Sequence, residues 1–182
     1  MRKFHFTNGE YYHIYNRGVD KRDVFLDSQD FGRFLQSMRE FNTKKPIGSL
    51  FENSFRDKIK LGNPIAKLVD IVCYCLNTNH YHLMIRQRID NGISEFMRRL
   101  GTGYTQSFNI KYKRTGALFQ GKFKAIHIDS NEYLLCLSAY INLNNRVHRL
   151  KNKEPRSSWN EYLSGRDNLC AKKIILAQFK TR

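Results

Sequence analysis

Two strand-like runs joined by a short turn constrain the fold of this chain more than any other feature. Residues 67–77 (KLVDIVCYCLN) and 79–87 (NHYHLMIRQ) are rich in β-branched, aromatic and other apolar residues, and they flank the segment Asn77-Thr78-Asn79. Runs of this kind around turn-forming residues are typical of a β-hairpin. The sequence therefore predicts an antiparallel sheet that contains this hairpin.

Further strands and helices are predicted on both sides of the hairpin. A first strand is expected over residues 10–16 (EYYHIYN) and a later one over 122–128 (KFKAIHI). Apolar residues at helical spacing predict helices over about 29–42, 93–110 and 131–148. Asp27 or Ser28 can cap the first of these helices.

The order β-α-β-β-α-β-α favours an α+β fold, in which a ferredoxin-like antiparallel sheet has helices packed on it. Residues 43–64 contain two prolines and two glycines and predict a loop, which can hold a short helix over 49–60. The apolar run KKIILAQF near the C-terminus predicts a last helix. We expect one domain over residues 1–165 and a helical tail over 166–182.

The charge of the chain points to a polyanionic partner. Lys and Arg number 32 against 16 Asp and Glu, a net charge of +16, whereas solubility in a small domain needs a magnitude of only about 2–8. Nucleic acid is favoured over an anionic membrane surface because no basic amphipathic anchor is present. With no apolar run of membrane-spanning length and no apolar leader at the N-terminus, we expect a soluble cytoplasmic protein.

The four cysteines predict neither a disulfide framework nor a zinc site. Cys73 and Cys75 lie too close together for an easy mutual disulfide, and their C-x-C spacing lacks the paired C-x-x-C of structural zinc sites. Cys136 and Cys170 are isolated in the sequence. We expect buried, reduced thiols.

His80 and His82 are candidate metal ligands. Side chains alternate along a strand, so both imidazoles project from one face about 6.6–7 Å apart and can reach one divalent ion. Tyr81, Leu83 and Ile85 project from the other face, towards the core. The H-x-H motif is short, and a pair of histidines on a half-wet sheet face explains it equally well.

The predicted helix over 131–148 adds a second group to this candidate site. Tyr140 and Asn144 stand at i and i+4, on one face of the helix. A core aromatic is the plain interpretation of Tyr140. Asn144, however, is costly to bury unless its amide is satisfied, and a metal ion can accept its carbonyl oxygen as a third ligand.

The segment GTGYTQ, residues 101–106, resembles a phosphate-binding loop only superficially. It lacks the third glycine and a preceding strand, and it falls in the middle of a predicted amphipathic helix. We therefore reject a phosphate-loop interpretation.

Several separated stretches resemble the HUH single-tyrosine transposases. They are NHYHLM, GALFQGKFKA and YLLCLSAYINLN, together with YHIYNRGVDKRDVFLDSQDFGRFL, ISEFMRRLGTGYTQSFNIKYKRTG and SSWNEYL. The likeness covers about residues 10–163 and is strongest to the REP-associated tyrosine transposases, which are IS200-like transposases. The chain departs from the family pattern over residues 43–67 and where Asn145-Arg146-Val147 replaces Pro-Val-Arg after Asn144.

The resemblance implies a role for each residue of the candidate site. His80, His82 and Asn144 would hold Mg²⁺ or Mn²⁺, and Tyr140 would be the nucleophile of a transesterification that leaves a 5′-phosphotyrosine and a free 3′-OH. The substrate would be single-stranded DNA beside a hairpin. Some relatives form homodimers that share active sites, so a homodimer is a candidate state. His127, on the strand before the helix, is a candidate neighbour of the phenol, although a structural role fits it better.

Basic residues interleaved with aromatic ones predict a surface for single-stranded DNA. The candidate phosphate-binding residues are Arg17, Lys21, Arg22, Arg98, Arg99, Lys113, Arg114, Lys122 and Lys124. Two other functions stay open at this point. A non-catalytic nucleic-acid-binding protein would explain the charge but leaves the two histidines and Asn144 without a joint purpose, and a metal-dependent hydrolase would make Tyr140 incidental.

Overall fold

The predicted hairpin lies at the centre of a five-stranded antiparallel sheet. The computed structural model describes residues 5–54, 66–147, 156–164 and 169–179, without the side chains of 145–147. The strands are β1 (Tyr11–Arg17), β2 (Val69–Asn77), β3 (His80–Gln87), β4 (Lys124–Ile128) and β5 (Arg156–Ser157). The helices are α1 (Ser28–Glu40), α2 (Leu50–Ser54), α3 (Gly92–Lys111), α4 (Asn131–Val147), α5 (Trp159–Ser164) and α6 (Lys173–Leu176), and a 3₁₀ turn covers Val19–Lys21.

The strand order confirms the predicted fold class. The strands run β4-β1-β3-β2-β5, and every neighbouring pair is antiparallel. In this order α1 connects β1 to β2 and α3 connects β3 to β4, so each helix crosses over one intervening strand. This is the ferredoxin-like arrangement of an α+β protein.

The two faces of the sheet are covered by different helices. On one face, Tyr81, Leu83 and Ile85 of β3 are at most 3% exposed and belong to the main core, to which α1 and α3 contribute. On the other face, α4 packs with Leu137 and Ile141 on β2 and β3, in a smaller apolar cluster. The alternation of β3 therefore turns His80 and His82 towards the side of the sheet that carries α4.

Local sequence signals explain where the helices begin. Asp27 caps α1: its carboxylate accepts hydrogen bonds from the backbone N–H groups of Gln29 (2.9 Å) and Asp30 (3.0 Å), and Asp30 reciprocates. A reciprocal cap of this kind satisfies N–H groups that the first helical turn leaves without partners. Of the two predicted caps, the structure selects Asp27.

The predicted strands and long helices are present within a few residues of their expected bounds. The strand β5 was not predicted, because its two residues gain a partner only by pairing with β2. The first part of the expected helix over 49–60 is present as α2, whereas residues 55–65 lie outside the described residues. The domain boundary expected between 165 and 166 also lies outside them.

One prediction about the cysteines is wrong. Cys73, Cys75 and Cys170 are buried and unpaired, as expected, but Cys136 is exposed because it lies on the outward side of α4. No helix within the described ranges is long and apolar enough to cross a bilayer.

Candidate functional site

The tip of the β2–β3 hairpin positions both histidines. The Thr78 carbonyl accepts hydrogen bonds from the N–H groups of Val24 (2.7 Å) and Phe25 (2.9 Å), so the segment before α1 holds the turn. β3 begins at His80 directly after this turn. A fixed tip therefore gives the first residues of β3 a fixed direction.

Two asparagines set the hydrogen bonding of His80. Its Nδ1 lies 2.6 Å from the Asn79 Oδ1, and Asn79 also donates to the Lys21 carbonyl, which fixes the orientation of its amide. An amide oxygen only accepts, so Nδ1 of His80 carries the proton. The Nε2 lone pair then faces Asn77 Nδ2 at 2.9 Å and has the protonation state that a metal ligand requires.

A third imidazole, that of His13 on β1, lies behind His82. The His13 Nε2 and the His82 Nδ1 are 2.9 Å apart, and the two rings stack with centroids 5.1 Å apart. His13 is only 7% exposed, and burial lowers its pKa to about 4. A neutral His13 can accept a proton of His82 at this position, which leaves the Nε2 of His82 as its metal-binding atom.

Asn144 is fully buried and bonded to the hairpin. Its Oδ1 accepts a hydrogen bond of 2.8 Å from Asn77 Nδ2, the same amide group that faces His80 Nε2. Its own Nδ2 is buried and has no hydrogen-bond partner among the described residues. The candidate ligand atoms of His80 and Asn144 therefore converge on one partially positive group, although 64 sequence positions separate the residues.

Tyr140 lies one helical turn before Asn144 and is exposed beside His82. Its side chain is 41% exposed, and its ring meets that of His82 edge-on with centroids 6.0 Å apart. A core aromatic would be buried, so the plain interpretation of Tyr140 does not hold. The phenol is open to a ligand at the edge of the histidine pair.

The residues present fit a divalent ion of the Mn²⁺ or Mg²⁺ type. The His80 and His82 rings lie 5.1 Å apart between centroids, a spacing at which two ligand bonds of about 2.1 Å can meet. The described residues contain no group of three His, Cys, Asp or Glu side chains placed to hold a metal. The third candidate donor is instead the amide oxygen of Asn144, a type of ligand that suits Mn²⁺ and Mg²⁺.

A cleft of about 420 Å³ opens beside the histidines. We call it the histidine cleft, and its lining residues are Tyr15, Asn16, Arg17, Asn79, His80, His82, Gln120 and Lys124. Arg17 and Lys124 give it a positive charge, and the Lys124 ammonium lies 6.0 Å from the centre of the Tyr15 ring. The cleft thus offers cations and an aromatic ring next to the candidate metal ligands.

The structure spreads the other predicted DNA-binding residues over the surface. Arg98 and Lys122 line a second, larger cleft. Lys21 and Arg22 are exposed in the loop after β1, and Lys113 is exposed after α3, where the Arg114 guanidinium bonds to Asn109. Only Arg17 and Lys124 are brought to the histidine cleft.

The Arg99 side chain is only 10% exposed, and its donors are used within the fold. The guanidinium donates to Glu95 and to the Thr43 carbonyl, each at 2.7 Å. His127 lies on the other face of the sheet and bonds to Glu10 at 2.9 Å, away from Tyr140. His127 is therefore not a neighbour of the Tyr140 phenol.

Sequence reasoning missed His13 and Asn77. His13 shares the site face of the sheet with His82 because β1 pairs with β3 in the register that places Tyr15 opposite His82. That register cannot be obtained from strand patterns alone. Asn77 belongs to the predicted turn, where asparagine is common, so it did not stand out as a site residue. Its position directly opposite His80 in the hairpin is the feature that could have indicated its role.

Comparison with known proteins finds a transposase family and a transposase structure to which the chain is similar. Residues 65–145, a span that includes both histidines, Tyr140 and Asn144, match the family described as "Transposase IS200 like". No curated protein matches the chain significantly. The solved "Structure of the REP associates tyrosine transposase bound to a REP hairpin" is similar at a TM-score of 0.62 and 14% identity, over 93% of this chain and 88% of that one.

At that identity, the structural likeness shows a shared fold. It extends over almost the whole chain, whereas the family match covers the segment from the hairpin to α4. The two findings together confirm the resemblance seen in the sequence. Residues 65–145 match the IS200-like transposase family, and the chain as a whole shares the fold of the solved REP-associated tyrosine transposase.

Proposed function

We propose that this chain cleaves and rejoins single-stranded DNA next to hairpin-forming repeats, with Tyr140 as the nucleophile. The match to the IS200-like transposases supports a DNA-processing enzyme. The similar solved transposase was determined with a REP hairpin, which supports a DNA hairpin as the partner of this chain as well.

One observation carries the proposal: α4 presents an exposed phenol beside the histidine pair and a buried amide one turn later. Tyr140 contacts the ring of His82, and Asn144 shares the Asn77 amide with His80. A nucleophile and three potential metal ligands therefore lie within one small volume, although they come from two separate elements. A binding protein has no need for this combination.

The reaction is an exchange of one phosphodiester for another. The Tyr140 oxygen forms a bond to the phosphorus while the bond from phosphorus to the 3′ oxygen breaks. The phenol releases its proton, and the departing 3′ oxygen takes one up as a 3′-OH. A 3′-OH of the same or another strand can then attack the 5′-phosphotyrosine, which restores the phenol and joins the strands without a nucleoside triphosphate.

His80 and His82 through Nε2, and Asn144 through Oδ1, would hold Mg²⁺ or Mn²⁺. When bound, the ion supplies Lewis-acid polarisation of a nonbridging phosphate oxygen. Asn79 keeps the proton of His80 on Nδ1. His13 can do the same for His82, since it lies at the Nδ1 of that ring.

Arg17 and Lys124 draw the DNA backbone into the histidine cleft, because their charges face the same space as the imidazoles. Tyr15, which lines the same cleft, offers a ring on which an unpaired base can stack. The phosphate nearest to Tyr140 is then the one that is cut.

The test is covalent capture. The protein is incubated with Mn²⁺ and single-stranded hairpin DNA, and the products are separated under denaturing conditions. The DNA carries repeats from the genome of origin and is labelled on the segment downstream of the cut. We expect a labelled protein–DNA adduct that is absent in Tyr140→Phe. Tyr133→Phe, the same change two turns earlier on α4, is the matched control and should form the adduct as the unaltered protein does.

The other outcomes separate the alternative functions. Cleavage that survives in Tyr140→Phe would contradict the proposal and indicate a hydrolase that uses water. Tight binding of a repeat hairpin without cleavage by the unaltered protein would indicate a non-catalytic binding protein.

A further inference from the structure

A second cleft, about twice the size of the histidine cleft, lies between α3 and the segment 117–123. We call it the apolar cleft; its volume is about 850 Å³. Its floor is formed by buried side chains that include Tyr81, Met97 and Phe119, and Phe123 lies at its side. Nothing in the chemistry of strand cleavage uses this cleft.

The two clefts are neighbours that share one wall. Residues 118–121, which we call the ridge, have the apolar cleft on one side, while Gln120 faces the histidine cleft. The ridge is held to the end of β1 by hydrogen bonds from the Gln120 N–H to the Arg17 carbonyl (2.8 Å) and from the Val19 N–H to the Leu118 carbonyl (3.0 Å). Asn16 lines both clefts and donates to the Gly121 carbonyl at 3.2 Å.

The chemistry of the apolar cleft suits a flat aromatic ligand attached to an anionic chain. Aromatic and thioether side chains form its floor, and hydroxyl and amide groups of Thr102, Thr105 and Gln106 stand along one side. Lys122 lies at its rim, as does Arg98, whose guanidinium also pairs with Glu95, and none of the described residues that line the cleft is acidic. Proteins bind unpaired bases by stacking rings on the base, hydrogen bonding to its edges and placing cations near the attached phosphates.

We propose that the apolar cleft holds an unpaired base of the DNA strand whose phosphate lies in the histidine cleft. The inference rests on the proposed function and deepens it: the ridge separates a site for the backbone from a site for a base. A strand that crosses the ridge places a phosphate in the histidine cleft, beside His80 and His82, and turns a neighbouring base into the apolar cleft.

The segment GTGYTQ, which is not a phosphate-binding loop, forms part of the proposed base site. Gly101, Thr102, Thr105 and Gln106 all line the apolar cleft. A Cβ at Gly101 would meet no atom within 4 Å. A larger side chain at this position would therefore fill the cleft without disturbing the packing of α3.

The experiment compares two oligonucleotides of equal charge: a thymidine 12-mer, and a 12-mer of the same length that consists of abasic sites. Binding to each is measured by fluorescence anisotropy in the Tyr140→Phe background, where no strand is cut. We expect Gly101→Leu to weaken binding of the thymidine 12-mer by about 5- to 100-fold, the loss of one stacked base. Binding of the abasic 12-mer should stay unchanged.

Gly32→Leu is the matched control. Gly32 lies inside α1, and a Cβ there would also meet no atom within 4 Å, so the substitution makes the same chemical change away from both clefts. Leucine has a better helix propensity than glycine, so neither variant should lose thermal stability. Thr102→Phe, which fills the cleft from an exposed position, is a second variant in case the first fails to fold.

An equal effect on both oligonucleotides, or no effect on either, would overturn the inference. So would equal binding of the two 12-mers by the parent protein. None of these results bears on adduct formation at Tyr140, which is measured separately with hairpin DNA. If the unaltered protein forms no adduct but base-dependent binding is intact, the proposed chemistry is contradicted and the base site is not.

Discussion

At the scale of single residues, the Asn77 side chain connects the hairpin and α4 at the candidate site. One amide nitrogen faces His80 on β3 and Asn144 on α4, at 2.9 and 2.8 Å. The sequence could predict His80, His82, Tyr140 and Asn144 as site residues because an H-x-H strand and an i, i+4 helical pair are visible as sequence patterns, and the structure brings the four residues together. The sequence could not predict Asn77 and His13, because their role depends on strand partners.

His13 gives the prediction that belongs to this scale. Without an acceptor at its Nδ1, the His82 imidazole loses the contact that sets its tautomer and its direction, and such contacts are worth about 10- to 100-fold in metal affinity. We expect His13→Leu to weaken Mn²⁺ binding by about tenfold or more in a calorimetric titration.

The conservative variant tests whether the hydrogen bond is the cause. His13→Gln supplies an amide oxygen that can accept the same proton, so it should recover much of the lost Mn²⁺ affinity. Equal affinity in the unaltered protein and in His13→Leu would show that the contact between the two rings does not orient His82.

At the scale of elements, α4 has two functionally different sides. Leu137 and Ile141 bury one side against the sheet, Tyr140 stands at the edge, and Cys136 faces outwards. The sequence predicted the helix but not which of its residues would be covered, since its apolar residues are spread around the axis. That spread is why Cys136 was wrongly expected to be buried.

The thiols provide a direct check of the packing of α4. Burial raises the pKa of the Cys73 and Cys170 thiols well above the usual range, and only a thiolate reacts readily with a disulfide reagent. We expect one fast-reacting thiol in the native protein and four after denaturation. Cys136→Ser should remove the fast phase, and any fast-reacting thiol that remains in that variant would contradict the described packing.

At the scale of the whole molecule, the two faces of the sheet carry different groups. One face carries α1 and α3 and most of the core, while the other carries the imidazoles and only partial cover from α4. The fold class followed from the order of strands and helices in the sequence. The sequence did not predict that β1, the hairpin and α4 converge on one point, because this depends on strand register and on the packing of α4.

The net charge of +16 also acts at this scale. A charge of this size attracts a polyanion to the protein as a whole, but the structure places only Arg17 and Lys124 of the predicted cations beside the histidines. Long-range attraction and local positioning are thus assigned to different residues. The Arg99 guanidinium bonds to Glu95 and to the Thr43 carbonyl, so this predicted DNA-binding cation is engaged within the fold.

The most direct test of the central claim is pulsed electron paramagnetic resonance of the protein with one equivalent of Mn²⁺. We expect nitrogen couplings from two imidazoles on one ion, with one coupling lost in His80→Ala and one in His82→Ala, and weaker Mn²⁺ binding in Asn144→Ala. A bound Mn²⁺ without imidazole coupling, or with couplings that both single variants leave unchanged, would contradict the claim that the hairpin and α4 hold one cation beside Tyr140.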